Sequence, residues 1–167
     1  MAAPAGATEA GGDSQRIARI NLEEASRIRL SAQIENERRV ALYDLIEDNH
    51  FAPVGGFSGP YVLSLGIAED RLVFKVFDIA EKPLARFALS LSCLRRIVKD
   101  YFLICDTYFS AIKSLPPSRI EAIDMGRRGL HNEGAEVLRR RLANKVDIDM
   151  ATARRLFTLI CILHIRA

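Results

Sequence analysis

The spacing of apolar residues changes period twice along this chain, and that change limits its fold more than any other feature. From Ile34 to about residue 50, and again after residue 91, apolar side chains recur at the three-and-four spacing of helices; from Phe51 to Leu91 they alternate. A helical side chain returns to one face every 3.6 residues and a strand side chain every second residue, so a sheet must lie between helical flanks. Residues 61–67, 71–79 and 84–91 alternate, with turn-forming residues at 68–70 and 81–83 between them. Turns this tight join antiparallel neighbours, since a parallel pair needs a crossover of a dozen residues or more. The expectation is an antiparallel β-meander of three to five strands, with residues 51–54 or the imperfectly alternating residues 16–22 at an edge.

The flanks supply its cover. Ser31 can cap a helix over residues 34–49 that carries Ile34, Val40, Ala41, Leu42, Leu45 and Ile46 on its apolar side. Ser92 is placed to cap a core helix to about Ser114, with a wide stripe running from Leu94 through Tyr101 and Cys105 to Ile112. Pro116 and Pro117 stop it. Ser118 and Glu121 have the spacing of a capping box for the next helix. Gly126 and Gly129 each weaken that helix by up to about 1 kcal/mol relative to alanine, so a break is expected near His131, with a further helix to about Asn144. Asp149 then caps a last helix whose Leu156, Phe157, Leu159, Ile160 and Leu163 are apolar on almost every side. The fold class is α+β: the meander packed against a C-terminal half of about four helices, plus one N-terminal helix. Residues 1–14, mostly alanine and glycine, read as a disordered tail, and residues 15–167 as one domain.

A chain of 167 residues buries roughly 70% of its unfolded surface, enough for a conventional core. Its 49% hydrophobic and 27% charged residues exclude a disordered class. The net charge of +3 gives no general field for nucleic acid, although the stretch from Arg119 onward is mildly basic. Cys93, Cys105 and Cys161 are too widely spaced for a disulfide framework or zinc ribbon and read as buried thiols of a reducing compartment. The start lacks the basic and apolar regions of an export signal, and the apolar run 156–163 is short of the roughly 20 residues that span a bilayer. A cytoplasmic protein without a membrane segment is expected.

Motifs for chemistry are sparse. The glycine-rich GGFSGP at residues 55–60 has no following Lys-Ser/Thr and leads into a strand, so it reads as a turn and not as a phosphate cradle. Cys161 and His164 stand at ligand spacing with no third or fourth ligand nearby, so no metal is expected, and no motif calls for a cofactor. The segment DMGRRGLHNEGAE, residues 124–136, stands apart because it crowds arginine, histidine, asparagine and glutamate around three glycines. Arg127 and Arg128 can clamp a carboxylate or phosphate, His131 can move a proton, Asn132 can orient, and Glu133 can pair with an arginine. The plainer reading makes it a helix-to-helix turn, with Asn132 as cap and the arginines neutralised by Asp124, Glu133 and Glu136. No nucleophile with a base beside it is visible, so no catalytic residue is assigned. Arginine pairs also occur at 38–39, 95–96 and 154–155, with a triplet at 139–141, but neighbours on a helix point about 100° apart and make no one-sided stripe.

The strings RRVALYDLIEDNHFAPV (residues 38–54), RRIVKDYFLICDTY (95–108), IEAIDMGRRGLHNEGAEVLRRRL (120–142) and TARRLFTLICILH (152–164) resemble the uncharacterised protein family UPF0262 of alphaproteobacteria. That resemblance implies a small bacterial cytoplasmic protein and carries over no functional residue. The functional expectation is a non-enzymatic binding or regulatory protein presenting Arg127, Arg128, His131, Asn132 and Glu133 to a protein partner or an anionic ligand. Its rivals are a small enzyme using His131 and Glu133 as acid and base, and an RNA- or ribosome-associated factor.

Overall fold

The computed structural model describes residues 14–24 and 30–166. The expected tail, apart from Ser14, lies outside them. Strands β1 (Ile17–Glu23), β3 (Tyr61–Ala68), β4 (Arg71–Phe77) and β5 (Pro83–Ser90) form one sheet in the order β1-β3-β4-β5. The meander β3-β4-β5 is antiparallel as the tight turns require, with Leu65 opposite Phe74 and Phe74 opposite Phe87. The first strand is the edge, but it runs parallel to β3, from Ile17 opposite Tyr61 to Glu23 opposite Gly66. A helix makes that orientation attainable: α1 (Ala32–Glu47) lies between the two strands in sequence and supplies the crossover. Asn49, just past α1, fastens the arrangement by accepting from the Ile17 N–H at 2.7 Å and donating to the carbonyls of Ile17 and Leu45.

Residues 51–54 do not join this sheet. Strand β2 (Phe51–Pro53) pairs antiparallel with β6 (Val146–Ile148), a three-residue strand too short to leave an alternating signal. Leu63, Leu65, Leu72, Phe74 and Val76 are fully buried on one face of the main sheet, while Glu23 on the other accepts from Ser64 and Lys75. Each such leucine or phenylalanine gains about 1.5–3 kcal/mol on burial, so this face fixes the register.

Helices α2 (Arg95–Ala111), α3 (Pro117–Leu142) and α4 (Met150–Arg166) follow, packed α2 on α3, α3 on α4 and α4 on α1. The last is the core helix: Leu156, Phe157, Leu159, Ile160 and Cys161 are at most 1% exposed. Asp149 caps it through the Thr152 N–H at 2.8 Å, and Ser31 caps α1 through the Ile34 N–H, both as expected. Ser92 caps nothing. The chain leaves β5 at Ser90, whose hydroxyl receives the Ser92 N–H, turns through a 3-10 segment at Leu91–Cys93, and starts α2 from Leu94 without a side-chain cap. The Ser118 capping box is also not used, because α3 begins one residue earlier at Pro117, where the missing N–H and fixed φ of proline suit the first helical position.

The expected break near His131 is absent, and α3 runs through 26 residues. Gly126 and Gly134 serve packing, while a Cβ at Gly129 would meet open space. A Cβ at Gly134 would overlap the Phe157 ring and one at Gly126 would press on Ile104, so the helix–helix contact made possible by small residues outweighs their propensity cost. The C-terminal half therefore has three long helices among the described residues, where the glycines suggested a fourth. Asn132 neither ends nor caps a helix and lies exposed within α3. Cys105 and Cys161 are buried free thiols, but Cys93 is half-buried, because it sits on the 3-10 corner and not in the helix stripe. No described helix is long and apolar enough to cross a membrane.

Candidate functional site

Three helices and one ring build a cleft of about 310 Å³. Helix α1 contributes Asn36, Glu37, Val40, Ala41 and Asp44, positions three and four apart and so on one stripe. Helix α3 contributes Arg127, Arg128 and His131 from a single turn; α4 contributes Arg155 and Thr158; Tyr101 of α2 forms part of the wall. The polar segment singled out in the sequence thus gives three of its five residues to a concave surface. The other two point away. Glu133 lies two residues past His131, about 200° around the helix, where its carboxylate accepts from Arg96 of α2 at 2.8 Å. His131 and Glu133 are therefore not brought together, and Asn132 is exposed on the helix surface.

Each cleft arginine is held differently. Arg127 sits over the Tyr108 ring, its Cζ 4.6 Å from the centroid, and donates from Nε and Nη2 to Asp124 Oδ1 at 3.1 and 2.7 Å. Its Nη1 meets Glu37 at 3.6 Å, an ion-pair distance beyond hydrogen-bond range. Arg128 pairs with the other oxygen of Asp124 at 3.0 Å and keeps a largely exposed side chain. Arg155 donates to the Asp48 carbonyl at 2.7 Å. The hydrogen bonds from Arg127 hold the Asp124 carboxyl below its ordinary range. Burial moves Glu37 the other way, raising its pKa against the partial opposition of Arg127.

His131 is a wall of the cleft and not a free base. Its ring packs against Tyr101 and Phe157 with centroids 5.5 Å from each, and Nε2 is hydrogen-bonded to the Thr158 hydroxyl at 2.8 Å. Burial first, then the charges of Arg154 and Arg127, lower its pKa to about 4, so the imidazole is neutral at pH 7. Thr158 in turn donates to the Arg154 carbonyl of its own helix. The glutamate, asparagine, threonine and third arginine of the cleft come from α1 and α4 and were not assigned from the sequence. Only the arginine pair at 154–155 and the helical spacing of Glu37, Ala41 and Asp44 hinted at them. No group of three or more metal-capable side chains occurs among the described residues.

The family model of Uncharacterised protein family (UPF0262) matches residues 14–166. The chain belongs to this family. A UPF0262 protein of Paramagnetospirillum magneticum is 57% identical over 152 residues, which cover 91% of this chain and 97% of the relative. Similar UPF0262 proteins are found in Rhodospirillum rubrum, 56% identical over 154 residues (92% and 95% covered), and in Maricaulis maris, 55% identical over 152 residues (91% and 95% covered). No solved structure matches the chain. The UPF0262 match takes in all four helices and the whole main sheet, so every wall of the cleft lies within it.

Proposed function

We propose that this UPF0262 protein is a non-enzymatic binding protein of the bacterial cytoplasm that takes a singly charged anionic ligand into the cleft between α1, α3 and α4. The observation that carries the reading is the convergence of Arg127, Arg128 and Arg155 on one concave, largely apolar surface. Guanidinium groups offer paired donors that match a carboxylate, and a partly desolvated setting strengthens such bonds. The local charge limits the ligand. Three arginines face Glu37, Asp44 and Asp124, so the cleft is close to balanced and holds no surplus for a dianion. Burial raises the pKa of Glu37, and its oxygen stands 3.6 Å from Arg127, beyond hydrogen-bond range, so a monoanion at full hydrogen-bond length can take the Arg127 donor in its place.

The hydroxyl–imidazole pair of Thr158 and His131 is the one arrangement that favours catalysis. Three features argue against that use. The hydroxyl is committed to the Arg154 carbonyl, the imidazole with a pKa of about 4 is a weak base at pH 7, and its second neighbours are aromatic rings with no carboxylate to orient it. The cytoplasmic assignment is supported by three free cysteines and by the bacterial relatives named above.

Thermal unfolding with acetate against matched chloride tests the reading. Acetate at a hundredfold over its dissociation constant should stabilise by about 2.7 kcal/mol, and Arg128→Ala and Arg155→Ala should each remove most of that gain. Both side chains reach the cleft from helix surfaces, and Arg127 still holds Asp124 when Arg128 is gone. An acetate effect no larger than that of chloride refutes the proposal.

A further inference from the structure

A second cleft, of about 280 Å³, opens between α1, α2 and α4. Its inner wall is apolar: Phe102, Phe109, Cys105, Cys161 and Ile162. Burial raises both thiols, Cys105 to about 11, so they stay protonated and act as apolar wall. Ser110 and Lys113 stand exposed at its rim. Glu37, Tyr101 and Thr158 line this cleft and the arginine cleft alike, so the two meet at these three side chains.

We infer that the two clefts form one site for a carboxylate with a single apolar tail, its head on Arg127 and Arg128 and its tail along Phe102, Phe109 and Ile162. The inference rests on the reading of the arginine cleft as an anion site and adds the class of anion. Three observations support it. The two volumes together fall within the roughly 300–1,000 Å³ of small-molecule sites, whereas a bare carboxylate would leave the apolar cleft unfilled. The three arginines are gathered at one end and Phe102 and Phe109 at the other, with the charged Asp106 and Lys113 of the second cleft exposed to solvent. Glu37, at the junction, holds its carboxylate 3.6 Å from Arg127 without reaching hydrogen-bond length, so a ligand carboxylate at full length competes with it on favourable terms.

The test is calorimetric titration of the full chain with acetate, butyrate, hexanoate and octanoate, with octyltrimethylammonium as the tail bearing the opposite charge. Each methylene that enters the apolar cleft should tighten binding about fourfold. Ser110→Trp, at an exposed rim position, should flatten that dependence and leave acetate unchanged. Acetate binding with no gain along the series overturns the amphiphile and leaves the anion site standing. A gain that Ser110→Trp does not reduce places the tail elsewhere and also overturns it. Octyltrimethylammonium binding as tightly as octanoate removes the role of the arginine head, and no binding by any carboxylate removes the anion reading itself.

Discussion

Two glycines about 7.5 Å of helix rise apart in one helix should respond to the same substitution with opposite signs. Gly129 and Gly134 both lie inside α3, where alanine is the better helix former by up to about 1 kcal/mol. At Gly129 a Cβ meets nothing within 4 Å, so Gly129→Ala should collect that gain undiminished. At Gly134 the Cβ falls on the Cε2, Cζ and Cδ2 atoms of Phe157, all inside 3.0 Å. Phe157 has no room to yield: it is fully buried, with Tyr101 edge-on at 5.8 Å and His131 at 5.5 Å. Forcing a methyl into a packed core costs about 1–3 kcal/mol, and overlap with three ring atoms puts this one at about 2–3 kcal/mol, so after a propensity gain of about 1 kcal/mol Gly134→Ala should lose about 1–2 kcal/mol net. For a chain of this size those values correspond to a rise of about 2–4 °C at Gly129 and a fall of about 2–8 °C at Gly134. Urea unfolding followed by circular dichroism measures both, and an unchanged m-value certifies that stability moved and not the denatured state. A Gly134→Ala protein as stable as the parent would refute the claim that Gly134 is kept for contact with Phe157, and a Gly129→Ala protein less stable would refute the claim that Gly129 faces open space in an unbroken helix.

Two further outcomes follow from local geometry. His131 has a folded pKa of about 4 against an ordinary 6.5, so the unfolded chain binds its proton first: the stabilisation is complete above pH 6.5 and is lost as pH falls toward 4. The loss amounts to about 3 kcal/mol, and His131→Gln should flatten the urea midpoint across that window; an unaltered slope would contradict the burial of a neutral ring. Asp149→Ala should cost about 1 kcal/mol in the same assay because it strands the Thr152 N–H at the start of α4, whereas Ser118→Ala should cost almost nothing, since α3 starts at Pro117 without a side-chain cap. Equal losses at the two positions would mean that Ser118 caps after all.

The elements legible in the sequence were those whose signal is local. Alternation over seven or eight residues identified β3, β4 and β5, and the stripe through Tyr101 and Cys105 identified α2. Pairing was less legible, because β6 offers only three residues and β1 finds β3 through a crossover. The glycines of α3 misled for a physical reason: a glycine that loosens a helix and one that admits an aromatic ring look identical until the ring is in place. The site divides the same way. Arg127, Arg128 and His131 share one helical turn, so their grouping is local. Asn132 and Glu133 belong to the same string of letters but are carried out of the cleft by helical rotation. Glu37 and Arg155 arrive only when α1 and α4 dock.

The hydrogen bond from the His50 N–H to Thr152 spans 102 positions, beside the pairing of β2 with β6. On a ribosome making about 5–20 residues each second, His50 therefore waits about 5–20 s for its partner to be synthesised. Through that interval Phe51 and the apolar face of the meander have no α4 to cover them, and a chain stalled before Met150 is an aggregation hazard and not a half-finished protein. The arginine cleft obeys the same clock. Two of its walls are α1 and α4, from opposite ends of synthesis, so the cleft exists only in a molecule whose last helix has been made and seated.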